Sequence, residues 1–270
     1  MAKMASFIRW AGGKSWLVPF VQELIEGIDY NNYFEPFMGG ASIFFSIHPP
    51  HQSFLSDINE ELVNTFQAVR DNPQRVILHL KELVPNEETY YQVRKTIPRG
   101  KYRQAARFLF LNANSFNGLY RVNLRGEYNV PYGKKDAYVD YVRLKEISQL
   151  LKGVQIKCHD FRELRNQIKE GDLVFLDPPY AVSNNEACFI KYHSTLFSID
   201  DQKELGELID HINKQGAYYI LTNAAHPDIE AIFSDRGRIV EVQRVSLIGG
   251  KNSFRGKVPE YVFTNIPERK

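Results

Sequence analysis

The sequence predicts an α/β protein built on an open, mostly parallel sheet with helices on both faces. Three observations predict it. Short apolar runs of strand length alternate with stretches of helical periodicity, and the turns between them are marked by Gly and Pro. Residues able to do chemistry gather just after the predicted strands, where sheets of this kind bind ligands. The chain has 270 residues, of which 43% are hydrophobic and 24% charged, a globular composition large enough for one core domain with a sizeable insertion.

The elements follow in order. Tyr33-Phe34-Glu35 reads as a short strand ending at Pro36, and the Gly39-Gly40 turn leads into a helix start at Ala41-Ser42-Ile43-Phe44. Ser53-Phe54-Leu55-Ser56 is a second strand. Leu62, Val63, Phe66 and Val69 then form the stripe of an amphipathic helix. Residues 90–95 and 104–113 are predicted helical and pass into a loop or hairpin rich in Asn, Gly and Pro. Leu173-Val174-Phe175-Leu176 is short and wholly apolar, as a buried parallel strand requires. Residues 198–215 predict a helix with Ser198 as N-cap, Asp201 three residues on, and a stripe of Leu205, Leu208, Ile209 and Ile212. Gly216 suits its end. Residues 217–221 return as a strand, and 238–244 and 261–263 are two last strands, expected to pair antiparallel.

Composition excludes several classes. No apolar run approaches membrane-spanning length, and the N-terminus lacks the apolar core of a signal peptide, so a cytoplasmic protein is expected. The two cysteines, Cys158 and Cys188, exclude a disulfide scaffold and a Cys-rich zinc site; both are expected to be buried and inert. The net charge of +2 conceals an asymmetry: residues 94–145 hold 12 Lys and Arg against Glu127, Asp136 and Asp140, a balance of 12 − 3 = +9, leaving 2 − 9 = −7 for the rest. Tyr102, Phe116, Tyr120, Tyr128, Tyr132, Tyr138 and Tyr141 lie among these charges. Basic residues interleaved with aromatics point to a nucleic acid.

Four motifs carry chemistry. Asp177-Pro178-Pro179-Tyr180 directly follows a predicted strand. Two prolines fix the turn and remove two backbone donors, so its carbonyls remain acceptors. A carboxylate and a carbonyl that both accept N–H bonds would direct the lone pair of an aromatic amino group at an electrophile, and Tyr180 would supply a face for a planar base. Glu35-Pro36-Phe37-Met38-Gly39-Gly40 also follows a strand, and its small residues allow close backbone approach to a ligand, although it is not the dinucleotide fingerprint. Asp57 ends the next strand about twenty residues on, where an acid accepts from ribose hydroxyls; a capping carboxylate would look the same. Trp10-Ala11-Gly12-Gly13-Lys14-Ser15 fails the phosphate-loop spacing, because position 8 is Ile, and leaves a Gly turn presenting an aromatic ring and a lysine. In the run from Asn117 to Gly133, Arg residues can pair with a guanine edge and Leu or Pro can touch a thymine methyl.

Taken together and in this order, Trp10-Ala11-Gly12-Gly13-Lys14, Glu35-Pro36-Phe37-x-Gly-Gly, Asp57-x-Asn59, the 117–133 run and Asp177-Pro178-Pro179-Tyr180 resemble the Dam-type DNA adenine methyltransferases. The likeness extends to Phe189-x-x-Tyr192-His193-x-x-x-Phe197. It implies a Rossmann-like S-adenosylmethionine-dependent methyltransferase fold, residues 1–60 plus 147–270, with a mainly helical DNA-recognition insertion at 61–146. It implies transfer of a methyl group to the 6-amino group of a flipped adenine, with S-adenosyl-L-homocysteine as product. The catalytic residues would be Asp177, Pro178, Pro179 and Tyr180. Trp10, Ala11, Gly12, Lys14, Glu35, Phe37, Gly39, Asp57 and Asp177 would lie at the donor, with Asp160 and Phe161 framing its adenine. Arg121, Leu119 and Pro131 fall where such enzymes read GATC, and Asn117, Asn123, Arg125 and Arg9 would join them on the DNA. Arg9 stands where family members often carry Lys. Lys251 and Arg255 are assigned to phosphates. The expected partner is double-stranded DNA, with no metal and no membrane; the likeness admits a cognate restriction endonuclease and a monomer or weak dimer, in a bacterial or phage setting. Rival expectations are the same chemistry on RNA or a protein amide, a DNA-binding protein without turnover, and a nicotinamide dehydrogenase.

Overall fold

A computed structural model describes residues 6–180, 197–245 and 257–268. Seven strands are ordered β3-β2-β1-β4-β5-β7-β6: β1 Tyr33–Glu35, β2 Ser53–Asp57, β3 Gln155–Cys158, β4 Leu173–Leu176, β5 Tyr218–Ala224, β6 Arg238–Val245 and β7 Lys257–Thr264. β1 pairs parallel with β4 (Tyr33 beside Leu173) and β4 with β5 (Leu173 beside Tyr218), while β7 lies antiparallel between β5 and β6. The predicted α/β sheet is therefore present. The order turns back between β1 and β4, and at such a switch point the carboxyl ends of two neighbouring strands flank a crevice.

The chain divides into two compact units. The first, residues 1–18, 38–48 and 55–158, holds most of the helices before β3: α2 Phe44–Ile47, α3 Glu60–Asp71, α4 Pro73–Lys81, α5 Glu87–Lys95, α6 Lys101–Asn114 and α7 Tyr141–Leu150. The predicted stripe of α3 is buried through Leu62, Val63, Phe66 and Val69. Asn72 ends α3 and caps α4 through Arg75 N–H, so two helices meet at a single residue. Phe7, Phe45 and Phe66 pack edge-on or stacked in this unit.

The second unit, residues 19–37, 49–54 and 159–270, contains most of α1 Val18–Ile25, then α8 Ile199–Gln215 and α9 Pro227–Phe233. Its core joins Val174 and Leu176 of β4 and Tyr219 and Leu221 of β5 to Leu205, Leu208, Ile209 and Ile212 of α8. Ser198 and Asp201 form the reciprocal cap expected of α8, with Asp201 N–H on Ser198 Oγ at 3.1 Å and Ser198 N–H on Asp201 Oδ2 at 2.6 Å. Gly216 closes the helix at φ 73°, a conformation that costs glycine little.

Two expectations are corrected. The helix after Gly39-Gly40 begins at Phe44, not Ala41, because Ala41 sits at φ 50° and cannot belong to a right-handed turn. Cys158 is exposed, not buried: only Ile156 of β3 faces inward, and the thiol points out beside the Ile58 carbonyl at 3.7 Å. Cys188 lies outside the described residues. No helix among the described residues is long and apolar enough to cross a membrane, and none of their acidic, His or Cys side chains form a group of three placed to hold a metal.

Candidate active site

In the second unit, Asp177 follows β4 at the switch point, half-buried, with Pro178 buried and Pro179 and Tyr180 half-buried. Asp177 Oδ1 accepts a 2.7 Å bond from the Thr222 hydroxyl, which β5 holds only 1% exposed. Tyr180 donates its phenol to Glu260 Oε2 at 2.6 Å. Glu260, on β7, is 3% exposed, and its Oε1 lies 2.6 Å from Arg244 Nε on β6. The tetrapeptide is thus held at both ends from neighbouring strands.

Glu35 ends β1, buried, and accepts from the Tyr33 phenol at 2.7 Å. Burial and the neighbouring Glu35 carboxylate push the Tyr33 phenol well above its ordinary pKa. Phe37 follows, half-buried, with its ring 5.5 Å from Phe161 and edge-on to Phe197 at 5.6 Å. Phe161 is itself buried in the core, whereas Asp160 caps its short 3₁₀ turn through Arg162 N–H and pairs with the Arg162 guanidinium at 2.9 Å. The aromatic ring nearest the surface here is therefore Phe37.

In the first unit, Gly39 adopts φ 44° and lies so close to Trp10 that a Cβ on it would stand 2.7 Å from Trp10 Cδ1. Gly39 N–H and Asn59 N–H both donate to the Asp57 carboxylate, each at 3.0 Å. Burial raises the Asp57 pKa, and bonds from Asn59, Gly39 and Ile58 N–H act against that shift. Lys14 is 4% exposed and donates to the Gly12 carbonyl at 3.2 Å; Ala11 and Gly12 are exposed.

The 117–133 run is a narrow hairpin with antiparallel bridges Ser115–Tyr132 and Val122–Tyr128. Asn123 builds its tip: its Oδ1 accepts from Arg125 N–H and Glu127 N–H, and its Nδ2 donates to Glu127. Arg121 Nε donates to Asn129 Oδ1 at 2.7 Å, which orients an exposed guanidinium. Arg125, Asn117, Leu119 and Pro131 are exposed as well. The base of the hairpin joins the first motif through Asn112, which bonds Arg9 N–H, the Arg9 carbonyl and the Gly118 carbonyl. Tyr120 stacks on Trp10 at 5.5 Å and donates to Glu61 at 2.9 Å. A Cβ on Gly118 would meet the Arg9 side chain, 2.7 Å from its Cβ, so glycine at this turn permits the contact. Lys251 and Arg255 lie outside the described residues, as do Phe189, Tyr192 and His193.

Residues 10–247 match the model of the D12 class N6 adenine-specific DNA methyltransferases. The chain belongs to that family. As a D12-class methyltransferase it is 33% identical over 275 residues to the type II methyltransferase M1.LlaDCHI of Lactococcus lactis subsp. cremoris, covering 96% of this chain and 94% of that one. It is 35% identical to the type II methyltransferase M.MjaIII of Methanocaldococcus jannaschii (92% and 94% covered), and 31% identical to the DNA adenine methylase of Serratia marcescens (96% and 98%). Thr222, Glu260 and Arg244 were not among the residues singled out from the sequence. Their partners are 45 to 80 positions away along the chain or on another strand, and only the strand order reveals them.

Proposed function

We propose that this D12-class enzyme transfers a methyl group from S-adenosyl-L-methionine to the 6-amino group of an adenine flipped out of duplex DNA, with GATC as its target. One observation carries the reading: a carboxylate, Asp177, fixed by Thr222 at the carboxyl end of β4, followed by two prolines and a tyrosine held by its own hydroxyl. In this reading Asp177 and the Pro178 carbonyl accept the two amino hydrogens, and Tyr180 stacks on the base. The nitrogen lone pair is then turned out of conjugation toward the electrophile, so that positioning supplies much of the rate.

The first-unit residues fit a nucleoside donor. Gly39 lets the Trp10 ring pack against the backbone at a distance a Cβ would forbid, and Asp57 is a half-buried acceptor already oriented by two backbone N–H groups. When bound, the donor supplies a methyl group on a positively charged sulfur. Asp57 would accept from its ribose hydroxyls, with Trp10, Ala11, Gly12, Lys14 and Gly39 lining the approach; Glu35, Phe37, Asp160, Phe161 and Asp177 are the assigned contacts in the second unit. Residues 61–146 are assigned as the recognition insertion. Within it Arg121, Leu119 and Pro131 read bases, and Asn117, Asn123, Arg125 and, from the N-terminal motif, Arg9 hold the duplex. Relatives named as type II methyltransferases support a cognate restriction endonuclease as a cellular counterpart, and a cytoplasmic monomer or weak dimer completes the reading.

The test is incubation with radiolabelled S-adenosylmethionine and two duplexes, one containing GATC and one with that site scrambled. Label confined to the first supports donor, reaction and target together. Label on both removes the assignment of Arg121 and its neighbours, and failure to bind the donor removes the reading altogether.

A further inference from the structure

The prolines of Asp177-Pro178-Pro179-Tyr180 fix the backbone but leave the tyrosine side chain its own torsions. A stacking platform whose ring can swing is a poor one, since a base held off angle loses the geometry that positioning catalysis depends on. Something must fix the ring.

We propose that Glu260, itself held by Arg244, is a positioning residue that sets the Tyr180 ring at the angle on which the target base stacks. The inference rests on the reading of the tetrapeptide as the base site. The phenol donates to Glu260 Oε2 at 2.6 Å, and the second oxygen, Oε1, is 2.6 Å from Arg244 Nε. The carboxylate is 3% exposed, accepts the phenol's hydrogen bond at one oxygen and faces the Arg244 guanidinium as an ion pair at the other, which restricts its rotation. Its backbone is fixed as well: Glu260 lies opposite Ala224 at the end of β5 and opposite Val242 on β6, and Arg244 is two residues along from Val242, the diagonal neighbour. A hydrogen bond to a charged acceptor is shorter and roughly twice as strong as one between neutral groups.

Energetics favour a role in geometry over one in stability. Glu260 is buried but the Arg244 side chain is 27% exposed. An ion pair that is partly solvated on one side and desolvated on the other contributes little net stability, so folding alone gives little reason to keep this carboxylate and guanidinium. Holding a hydroxyl at a set angle requires an acceptor at a fixed point, which an apolar side chain cannot be. Tyr180 is half-buried, and its hydroxyl is tied to the sheet.

Five proteins test this: wild type, Glu260→Gln, the paired change Glu260→Met with Arg244→Met, Tyr180→Phe alone, and Tyr180→Phe combined with the paired change. Fluorinated tyrosine is incorporated, and the Tyr180 signal is identified by its loss in Tyr180→Phe. The wild-type signal is expected to be dispersed from that of free fluorotyrosine and to collapse toward it in the paired variant, which should still melt cooperatively. With a GATC duplex carrying 2-aminopurine at the target adenine, the paired variant should give a brighter, less quenched base than wild type. On the ordinary duplex its kcat should fall roughly 10- to 100-fold with KM for DNA changed less than about 3-fold, a deficit specific to positioning. Glu260→Gln keeps an acceptor and should retain most of the rate, and the paired change should add nothing in the Tyr180→Phe background. A Tyr180 signal and kcat unchanged in the folded paired variant would overturn the proposal, as would losses that add independently to that of Tyr180→Phe. If wild type fails to methylate any adenine while the Tyr180 signal still collapses in the variant, the base-site reading fails and the brace stands.

Discussion

Asp177 and Gly39 show how single side chains divide the work between chemistry and shape. Replacing Asp177 with Ala removes the acceptor assigned to the target amino group and leaves the Thr222 hydroxyl without its 2.7 Å partner. Methyl transfer should fall by about 10²- to 10⁴-fold, while stability changes by only about 1 kcal/mol for one lost bond. Turnover near the wild-type rate in a folded Asp177→Ala protein would sink the assignment. Gly39→Ala should act first on the fold. Its φ of 44° and the 2.7 Å approach to Trp10 leave no room for a methyl, so a loss of about 1–3 kcal/mol is expected in a urea titration; an unchanged midpoint would show that the turn relaxes freely. The Asp177 and Gly39 motifs were legible in the sequence because each is contiguous. Thr222 and the Glu260–Arg244 pair were not: nothing local marks a threonine in an apolar strand, or a glutamate in an edge-region strand, as a partner of a distant turn.

At the scale of elements, periodicity and caps were legible wherever they were strong. The α8 stripe, its Ser198 cap and the Gly216 stop all stand where the sequence placed them. α4 was missed because Asn72 serves as the end of one helix and the cap of the next, so the two patterns run together. β3 was missed because only one of its four residues is buried, leaving no alternation to read. α8 also carries a pH prediction. Burial raises the Asp201 pKa, but the Ser198 N–H and hydroxyl and the Arg162 guanidinium outweigh it, and the net shift is downward. A carboxyl depressed in the folded state contributes stability above its unfolded pKa, and that contribution is lost as pH falls through the folded one. Asp201→Asn should therefore be less stable than wild type by about 1 kcal/mol at neutral pH, and the gap should close on acidification below the ordinary carboxylate range. Melts from pH 7 down to pH 3 check it; a gap that stays constant would assign the loss to packing instead.

Across the whole molecule, the charge asymmetry read from the sequence needs one refinement that only burial supplies. Of the twelve basic residues in 94–145, Arg107 is 5% exposed and is consumed by Glu61 and by the Val93, Arg94 and Thr96 carbonyls, so it braces the helices of the first unit. Lys101 pairs with Asp71 at 2.8 Å, and Arg94 bonds the Val130 carbonyl at 3.0 Å. Arg121, Arg125, Lys134 and Lys135 are exposed on or beside the hairpin and form a more direct surface for a polyanion. Phosphate and base contacts make different predictions. Each phosphate contact contributes about 0.9 to the slope of log affinity against log salt, irrespective of sequence. Lys134→Ala with Lys135→Ala should flatten that slope by about 1–2 and weaken GATC and scrambled duplexes alike. Arg121→Ala should instead cost the GATC duplex about 1–3 kcal/mol and the scrambled one much less, narrowing discrimination. Binding titrations of both duplexes across a salt series separate the two cases. Equal losses on both duplexes for Arg121→Ala would make this arginine one more phosphate contact and move sequence reading to other residues of the hairpin.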